Sequence, residues 1–223
     1  MKEEMNSLVE NDTWELVDCT KNVKVIDNRW VVRTELSADG LAKRFRAPLV
    51  ATGHVQNAVI YFDETMSPVA RYDTVRGVFA VAALERLQLR HFDVKTAFLY
   101  GTVQKAVYVC QPEGFDDGSC WVCKNKHSLY GLKQAPRCWN KPLVDSMKDQ
   151  RLIVSTVDPC LLVRQHNGKK VIVAISVDAK LIAGSEESEI DVIIDQLHCK
   201  IATGTLSYFL EMWIEQRKDG IFV

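Results

Sequence analysis

Two aspartates at the ends of apolar strands are the residues in this sequence best suited to chemistry. Asp93 follows the apolar start of LRHFDVKTAFLYG at 89–101, and Asp178 lies in the polar break of VIVAISVDAKLIAG at 171–184. Runs of β-branched residues bounded by turn residues predict strands. Two strand-borne carboxylates that meet side by side on one sheet can hold a divalent metal ion for phosphoryl transfer.

Asp178 also has a simpler interpretation. Aspartate is a common turn former, so this residue could do no more than make the turn between the strands predicted at 171–175 and 181–183. Asp93, as a second strand-borne carboxylate, shifts the balance towards a shared site. The sequence pattern leaves both interpretations open.

Composition limits the classes of protein that the chain can belong to. With 223 residues and 47% hydrophobic content, the chain can bury one large core or two modest ones. A formal net charge of −1 does not indicate a nucleic-acid binder, so any such role must rest on local basic patches. Seven cysteines, no signal peptide and no membrane-length apolar run predict an intracellular setting, either cytoplasmic or nuclear, without a membrane.

The elements that must position the two aspartates are hairpins and helices. We predict hairpins from 29–36 with 43–51, from 161–164 with 171–175, and from 206–216 with 221–223. Predicted helices cover 2–11, 73–87 with Asp73 as N-cap, a segment starting near Pro136, and 186–199. Pro142 should bend or shorten the third helix. This order predicts an α+β fold with a mostly antiparallel sheet and helices on one face.

A basic strand is the second candidate binding element. Strand alternation would place Arg44 and Arg46 on one face of the strand at 43–51, where they could contact an anion. The alternative is a solvated edge strand whose charges prevent edge-to-edge pairing. The sequence favours neither interpretation over the other.

Seven motifs occur in an order and at a spacing that resemble the reverse transcriptase of copia-type retrotransposons. They are NDTWELV at 11–17, RWVVR at 29–33, ETMSPVA at 64–70, FDVKTAFLYG at 92–101, VYVCQPEGF at 107–115, LYGLKQAPRCW at 129–139 and VDPC at 157–160. The resemblance covers nearly the whole chain. LYGLKQAPR alone is close to diagnostic of the family.

The resemblance implies a right-hand polymerase. Fingers would cover about 1–90 and 105–150, and a palm about 91–104 and 151–215, with the thumb absent or truncated. The implied activity is RNA-directed DNA polymerisation on an RNA or DNA template-primer, with deoxynucleoside triphosphates and Mg²⁺ or Mn²⁺. The family belongs to a Pol polyprotein whose protease, integrase and ribonuclease H parts are not in this chain.

The family's site residues transfer position by position. Asp93 and Asp178 match catalytic, metal-binding carboxylates, while Arg44, Arg46 and Gln134 match the region that binds the nucleotide. In the family the hairpin motif is a tyrosine, a valine and two aspartates, whereas this chain reads SVDA at 176–179.

Three departures from the family pattern predict impaired activity. Ala179 replaces the second aspartate of the hairpin, Ser176 replaces its tyrosine, and Pro48 replaces an arginine next to Arg46. The sequence therefore leaves three possibilities: a working polymerase domain, a catalytically dead or domesticated relic that folds and binds nucleic acid, and a scaffold for interactions alone.

Overall fold

The structure is a computed structural model that describes most of the chain. The described residues are 1–19, 23–36, 42–177, 179–198, 203–205, 209, 212–217 and 220–223. Among them no helix is long and apolar enough to cross a membrane.

The described part of the chain contains four α-helices, two short 3-10 helices and sixteen strands. The α-helices are α1 (Lys2–Glu10), α2 (Tyr72–Leu84), α3 (Ala135–Asp149) and α4 (Glu187–His198). The strands are β1 (Trp14–Asp18), β2 (Val25–Ile26), β3 (Asn28–Trp30), β4 (Arg33–Leu36), β5 (Ala42–Arg46), β6 (Leu49–Ala51), β7 (Gln88–Val94), β8 (Tyr108–Val109), β9 (Trp121–Asn125), β10 (Ile153–Val154), β11 (Leu161–His166), β12 (Lys169–Ile175), β13 (Ala179–Gly184), β14 (Thr203–Thr205), β15 (Glu215–Arg217) and β16 (Gly220–Phe222).

The chain divides into two compact units. The first contains Met1–Met66 and Phe98–Lys141, and the second contains Ser67–Ala97 and Pro142–Val223. The assignment of fingers and palm to particular ranges stays a prediction.

The first unit is built from small sheets around an apolar core. Its four-stranded sheet has the order β1-β9-β8-β2, and separate two-stranded ladders join β3 to β6 and β4 to β5. The predicted long hairpin is therefore interrupted between β5 and β6, at Ala47 and Pro48. Proline has no N–H to donate to a ladder, and the Pro48 carbonyl instead accepts the Val31 N–H at 3.0 Å.

The second unit is centred on a six-stranded antiparallel sheet. Its strand order is β10-β11-β12-β13-β7-β14, so β7 lies between β13 and β14. The central strand β12 is buried along its whole apolar part from Val171 to Ile175. A run buried without alternation is covered on both faces, and a helix is therefore expected on each side of the sheet.

Helices do cover both faces of this sheet, which corrects the prediction of helices on one face. Residues on one face, such as Ala174 and Leu181, pack in one cluster with Val78 of α2. Gly184 faces the other side, where an added Cβ would lie 2.7 Å from Ile190 of α4. The prediction was wrong because the pattern of a strand does not determine on which faces of the sheet the helices pack.

Helix boundaries differ from the predictions in two places. Helix α2 begins at Tyr72 with Arg71 as its N-cap, and Asp73 lies inside its first turn instead of capping it. It ends at Leu84, before Arg86, which has a positive φ of 54° and cannot continue the helix. Helix α3 contains Pro142 and runs on to Asp149, so the proline does not shorten it, and the alternative prediction of a bend at Pro142 stays a prediction.

Two predicted hairpins are confirmed. β11 and β12 pair through a turn at Asn167 and Gly168, with φ values of 50° and 77°. Both values fit a type I′ turn, for which Asn-Gly is the preferred sequence. β15 and β16 pair from Glu215 to Phe222, and the predicted Asp219 of their turn lies outside the described residues.

Candidate active site

Asp93 lies near the carboxyl end of β7, between two neighbouring strands. Its cross-strand partners are Ala179 on β13 and Gly204 on β14. The side chain is half-buried, and its Oδ1 accepts the Val94 N–H at 2.8 Å. The sheet therefore fixes the backbone of this carboxylate on both sides, as a preorganised ligand requires.

The β12–β13 hairpin brings the second motif to the same place. The Ser176 N–H donates to the Ala179 carbonyl at 2.9 Å, which closes the hairpin, and the Ser176 side chain is buried. Ala179 is the residue directly opposite Asp93. Asp178 precedes Ala179 in the sequence and lies outside the described residues, so the predicted sharing of an ion by Asp93 and Asp178 stays a prediction.

Asp178, the second predicted metal ligand, is not among the residues that the structure describes, so the described residues alone provide an incomplete set of ligands. They contain no group of three His, Cys, Asp or Glu side chains that could hold a metal ion. Opposite Asp93, Ala179 presents a methyl group where hard divalent cations need oxygen ligands. Among the described residues where β7 pairs with the end of β13, Asp93 provides the carboxylate that could bind a metal ion.

Lys180, which follows Ala179 on β13, is a buried charged residue that the sequence analysis missed. Its side chain is fully buried, and its Nζ donates to the Val177 carbonyl at 3.2 Å. The signal was a lysine inside the apolar run AKLIAG, because a charged residue in such a run is rarely buried without a specific reason.

The two predicted nucleotide-binding arginines lie on β5 of the first unit. The backbone register pairs Arg46 with Arg33 and Arg44 with Glu35. The Arg46 side chain is half-buried, while the side chain of Arg44 falls outside what the structure describes. Two arginines opposite each other repel unless an anion or a carboxylate separates them. The pairing is therefore compatible with the anion-contacting edge predicted from sequence, and the role of these residues stays a prediction.

Gln134 immediately precedes α3 and points into the first unit. Its side chain is 4% exposed, and its Nε2 donates to the Tyr61 carbonyl at 3.5 Å. The neighbouring Lys133 donates its backbone N–H to Gln56 Oε1 at 2.9 Å and its Nζ to the Gln56 carbonyl at 3.0 Å. These contacts hold the LKQ segment against the loop around Gln56. A nucleotide-binding role for Gln134 stays a prediction.

Much of the LYGLKQAPR motif has an architectural explanation. Gly131 has a φ of 86°, and an added Cβ would lie 2.1 Å from the Ala51 carbonyl oxygen. The two backbone segments are this close because the Tyr130 carbonyl accepts the Ala51 N–H at 2.8 Å. Further along the motif, Arg137 forms an ion pair with Glu64. The motif therefore docks its loop onto β6 and joins the start of α3 to Glu64.

A buried carboxylate outside the predicted set supports the second unit. Asp158 of the VDPC motif accepts the Thr74 hydroxyl at 2.5 Å and the Cys160 N–H at 2.8 Å. Burial alone would raise the pKa of Asp158, but these hydrogen bonds and the charge of Arg71 together hold it below its usual value. Asp158 therefore ties the loop before β11 to the first turn of α2, which is a structural role.

Comparison with known proteins identifies the family of this chain. The chain belongs to the reverse transcriptase (RNA-dependent DNA polymerase) family, whose model matches residues 11–223. It therefore falls in the class that the ordered motifs indicated.

Plant transposon proteins are among its relatives. The chain is 37% identical over 190 residues to the retrovirus-related Pol polyprotein from transposon TNT 1-94 of Nicotiana tabacum. These residues are 84% of this chain and 14% of that protein. The chain is 35% identical over 227 residues to the Pol polyprotein from transposon RE1 of Arabidopsis thaliana, covering 99% of this chain and 16% of the relative. An uncharacterized mitochondrial protein of Arabidopsis thaliana, AtMg00820, is 40% identical over 111 residues, which are 49% of this chain and 65% of that protein. The chain thus spans less than a fifth of the two Pol polyproteins.

Proposed function

We propose that this chain is the RNA-directed DNA polymerase domain of a copia-type retrotransposon. Its substrates would be an RNA or DNA template-primer and deoxynucleoside triphosphates. The observation that carries the proposal is the register of β7 and β13, which supports a carboxylate site where the DVKTAFL strand meets the SVDA hairpin, with Asp93 opposite Ala179.

Reverse transcriptases generally use divalent metal ions. In this chain Asp93 and Asp178 would hold such an ion, Mg²⁺ or Mn²⁺. A site with two carboxylates in place of three should bind metal more weakly, because Mg²⁺ would have to replace the missing oxygen ligand with water. Arg46 and Gln134 would contact the nucleotide, together with Arg44.

Three substitutions should lower the activity of this site. Ala179 removes an oxygen donor opposite Asp93, and losing a preorganised electrostatic group typically costs several kcal/mol of transition-state stabilisation, on the order of 3 kcal/mol. Ser176 is buried and removes the aromatic side chain that the family places beside the primer end. Pro48 cannot offer the bidentate contact with phosphate that an arginine makes.

Primer extension on a homopolymer RNA template tests the proposal. We expect the unmodified chain to extend poorly with Mg²⁺ and to recover a trace with Mn²⁺, which accepts looser coordination. The triple variant Ala179→Asp, Ser176→Tyr, Pro48→Arg should extend at least about tenfold better, because 1.4 kcal/mol of transition-state stabilisation is enough for that factor.

A matched control tests whether the gain in extension depends on the carboxylate of Asp93. Asp93→Asn in the triple variant should abolish the gain, because it removes the carboxylate that the sheet holds in place. A well-folded triple variant that gains nothing would contradict the proposal that these three positions limit the activity. Strong extension by the unmodified chain would show that Ala179 is tolerated.

A further inference from the structure

Four cysteines with free thiols lie in or beside the four-stranded sheet of the first unit. Cys123 belongs to β9 and Cys110 directly follows β8, whereas Cys19 follows β1 and Cys120 precedes β9. Cys19 and Cys120, the outer pair, are exposed, while Cys110 is half-buried and Cys123 is buried. Solvent access therefore distinguishes the outer pair from the other two, because a thiol reacts only where a reagent can reach it.

The outer pair lies one position beyond the last pair of the β1–β9 ladder. That last pair joins Asp18 to Trp121. Cys19 follows Asp18 along the chain, and Cys120 precedes Trp121. Carried one position further, the antiparallel register places Cys19 opposite Cys120. Opposite residues of an antiparallel pair have Cα atoms about 4.5–5.5 Å apart, which lies within the range of about 4.4–6.8 Å that a disulfide bond spans.

The same register gives the outer pair one face of the sheet. Strand residues at even spacing share a face, so Cys19 shares its face with Glu15. Cys120 shares its face with Lys124 for the same reason. Glu15 and Lys124 are opposite each other in the ladder and form an ion pair, with 2.8 Å between Lys124 Nζ and Glu15 Oε1. Opposite side chains on this face of β1 and β9 therefore reach each other.

The other two cysteines are poorly suited to react with the outer pair. Burial raises the pKa of Cys110 to about 11, together with its hydrogen bond to Asp27, in which the thiol donates to Oδ1 at 3.3 Å. Burial raises the pKa of Cys123 to about 12. Both sulfurs therefore stay protonated at neutral pH, and a cysteine attacks a disulfide only as the thiolate.

We propose that Cys19 and Cys120 are a redox pair that fastens β1 to β9 by a reversible disulfide bond. The oxidant is a low-molecular-weight disulfide such as oxidised glutathione. One cysteine thiolate attacks this disulfide, forms a mixed disulfide and releases one glutathione thiolate. The second cysteine thiolate then attacks the protein sulfur of the mixed disulfide and releases the other glutathione. The two cysteines lose their protons to solvent and are oxidised, while one oxidised glutathione is reduced to two glutathione molecules.

The bond closes a long loop of the chain. It joins positions that are 120 − 19 = 101 residues apart. A cross-link restricts the unfolded chain more strongly as the loop that it closes lengthens, and so stabilises the folded state. A disulfide between exposed cysteines is also more readily reduced than a buried structural one. The outer pair therefore makes the stability of the first unit depend on the redox conditions.

Disulfide mapping on the full chain tests the proposal. The folded protein is incubated with oxidised glutathione at neutral pH, the remaining thiols are alkylated, and chymotryptic peptides are analysed by mass spectrometry. Cleavage after Phe115 and Trp121 gives the peptide 116–121, whose one cysteine is Cys120. We expect this peptide to be linked to the peptide that contains Cys19, and the link to disappear with excess dithiothreitol. The absence of this link, or a link through another pair of cysteines in its place, would overturn the proposal.

Two serine variants provide matched controls. Cys120→Ser should prevent the link and leave Cys19 as a mixed disulfide with glutathione. Cys110→Ser, which changes a cysteine on the neighbouring strand, should form the link as the unmodified chain does. Loss of the link in Cys110→Ser would show that Cys110 takes part in the exchange and would overturn the assignment to the outer pair.

Thermal unfolding measures what the bond does, and neither experiment depends on polymerase activity. The oxidised chain should unfold at least about 5 °C above its reduced form, because the cross-link restricts the unfolded state. Cys120→Ser should show no such difference between oxidising and reducing conditions. An oxidised chain with an unchanged melting temperature would overturn the fastening of β1 to β9, as would an equal rise in oxidised Cys120→Ser.

Discussion

Gly131→Ala should destabilise the first unit far more than an alanine at a comparable glycine. Gly131 has a φ of 86°, and an added Cβ would lie 2.1 Å from the Ala51 carbonyl oxygen and 2.7 Å from Val50 Cγ1. Real Cβ atoms essentially never approach another heavy atom this closely, and the nearer atom is backbone. The loop and β6 would have to separate to admit the methyl group.

The size of the effect follows from three costs, and the first can be measured apart from the other two. A non-glycine residue in the left-handed region costs about 1–2 kcal/mol. Separation of the loop from β6 would also weaken the hydrogen bond from the Ala51 N–H to the Tyr130 carbonyl at 2.8 Å. That bond contributes about 1 kcal/mol, and forcing a methyl group into a packed contact costs about 1–3 kcal/mol.

Gly118→Ala is the control that separates these costs. Gly118 has a φ of 74° and nothing within 4 Å of an added Cβ, so its alanine variant should show the backbone cost alone. Urea unfolding of both variants should place Gly131→Ala about 2–4 kcal/mol below Gly118→Ala in free energy of unfolding. Equal losses for the two would refute the close approach and with it the architectural explanation of the LYGLKQAPR motif.

Three further predictions concern stability. Pro142→Leu should raise the melting temperature by an amount equivalent to at most about 3 kcal/mol, because α3 continues through the proline; a lower melting temperature would count against interior strain. Val59→Gly should raise the urea midpoint by the equivalent of about 0.5–1 kcal/mol, because Val59 is exposed and has a φ of 70°; an unchanged midpoint would mean that the loop tolerates this conformation. Burial lowers the pKa of His127, although the charge of Asp12 opposes this shift. The contribution of His127 to the free energy of unfolding should therefore be fully present above about pH 6.5 and be lost as the pH drops towards the folded-state pKa. His127→Gln should flatten that part of a urea-midpoint profile against pH, and an identical profile in the variant would assign the acid sensitivity to other groups.

Local sequence patterns determined most of the elements of this protein. The Asn-Gly turn at 167–168 joins two strands as predicted because both residues accept positive φ at little cost. The acidic start of α4 and its apolar spacing were enough to predict the helix to within one residue at each end. The motifs also determined the family, since seven ordered segments identify it without knowledge of any contact.

The tertiary structure decided which faces and side chains are buried. An apolar strand such as β12 has the same sequence whether a helix covers one face or two, so the position of α4 opposite α2 depended on packing. Gln134 and Lys180 are polar residues whose burial depends on segments distant in sequence, at Tyr61 and at Phe92. The register that puts Ala179, and no carboxylate, opposite Asp93 was likewise fixed by the sheet, because pairing between distant strands is set by how the whole core packs.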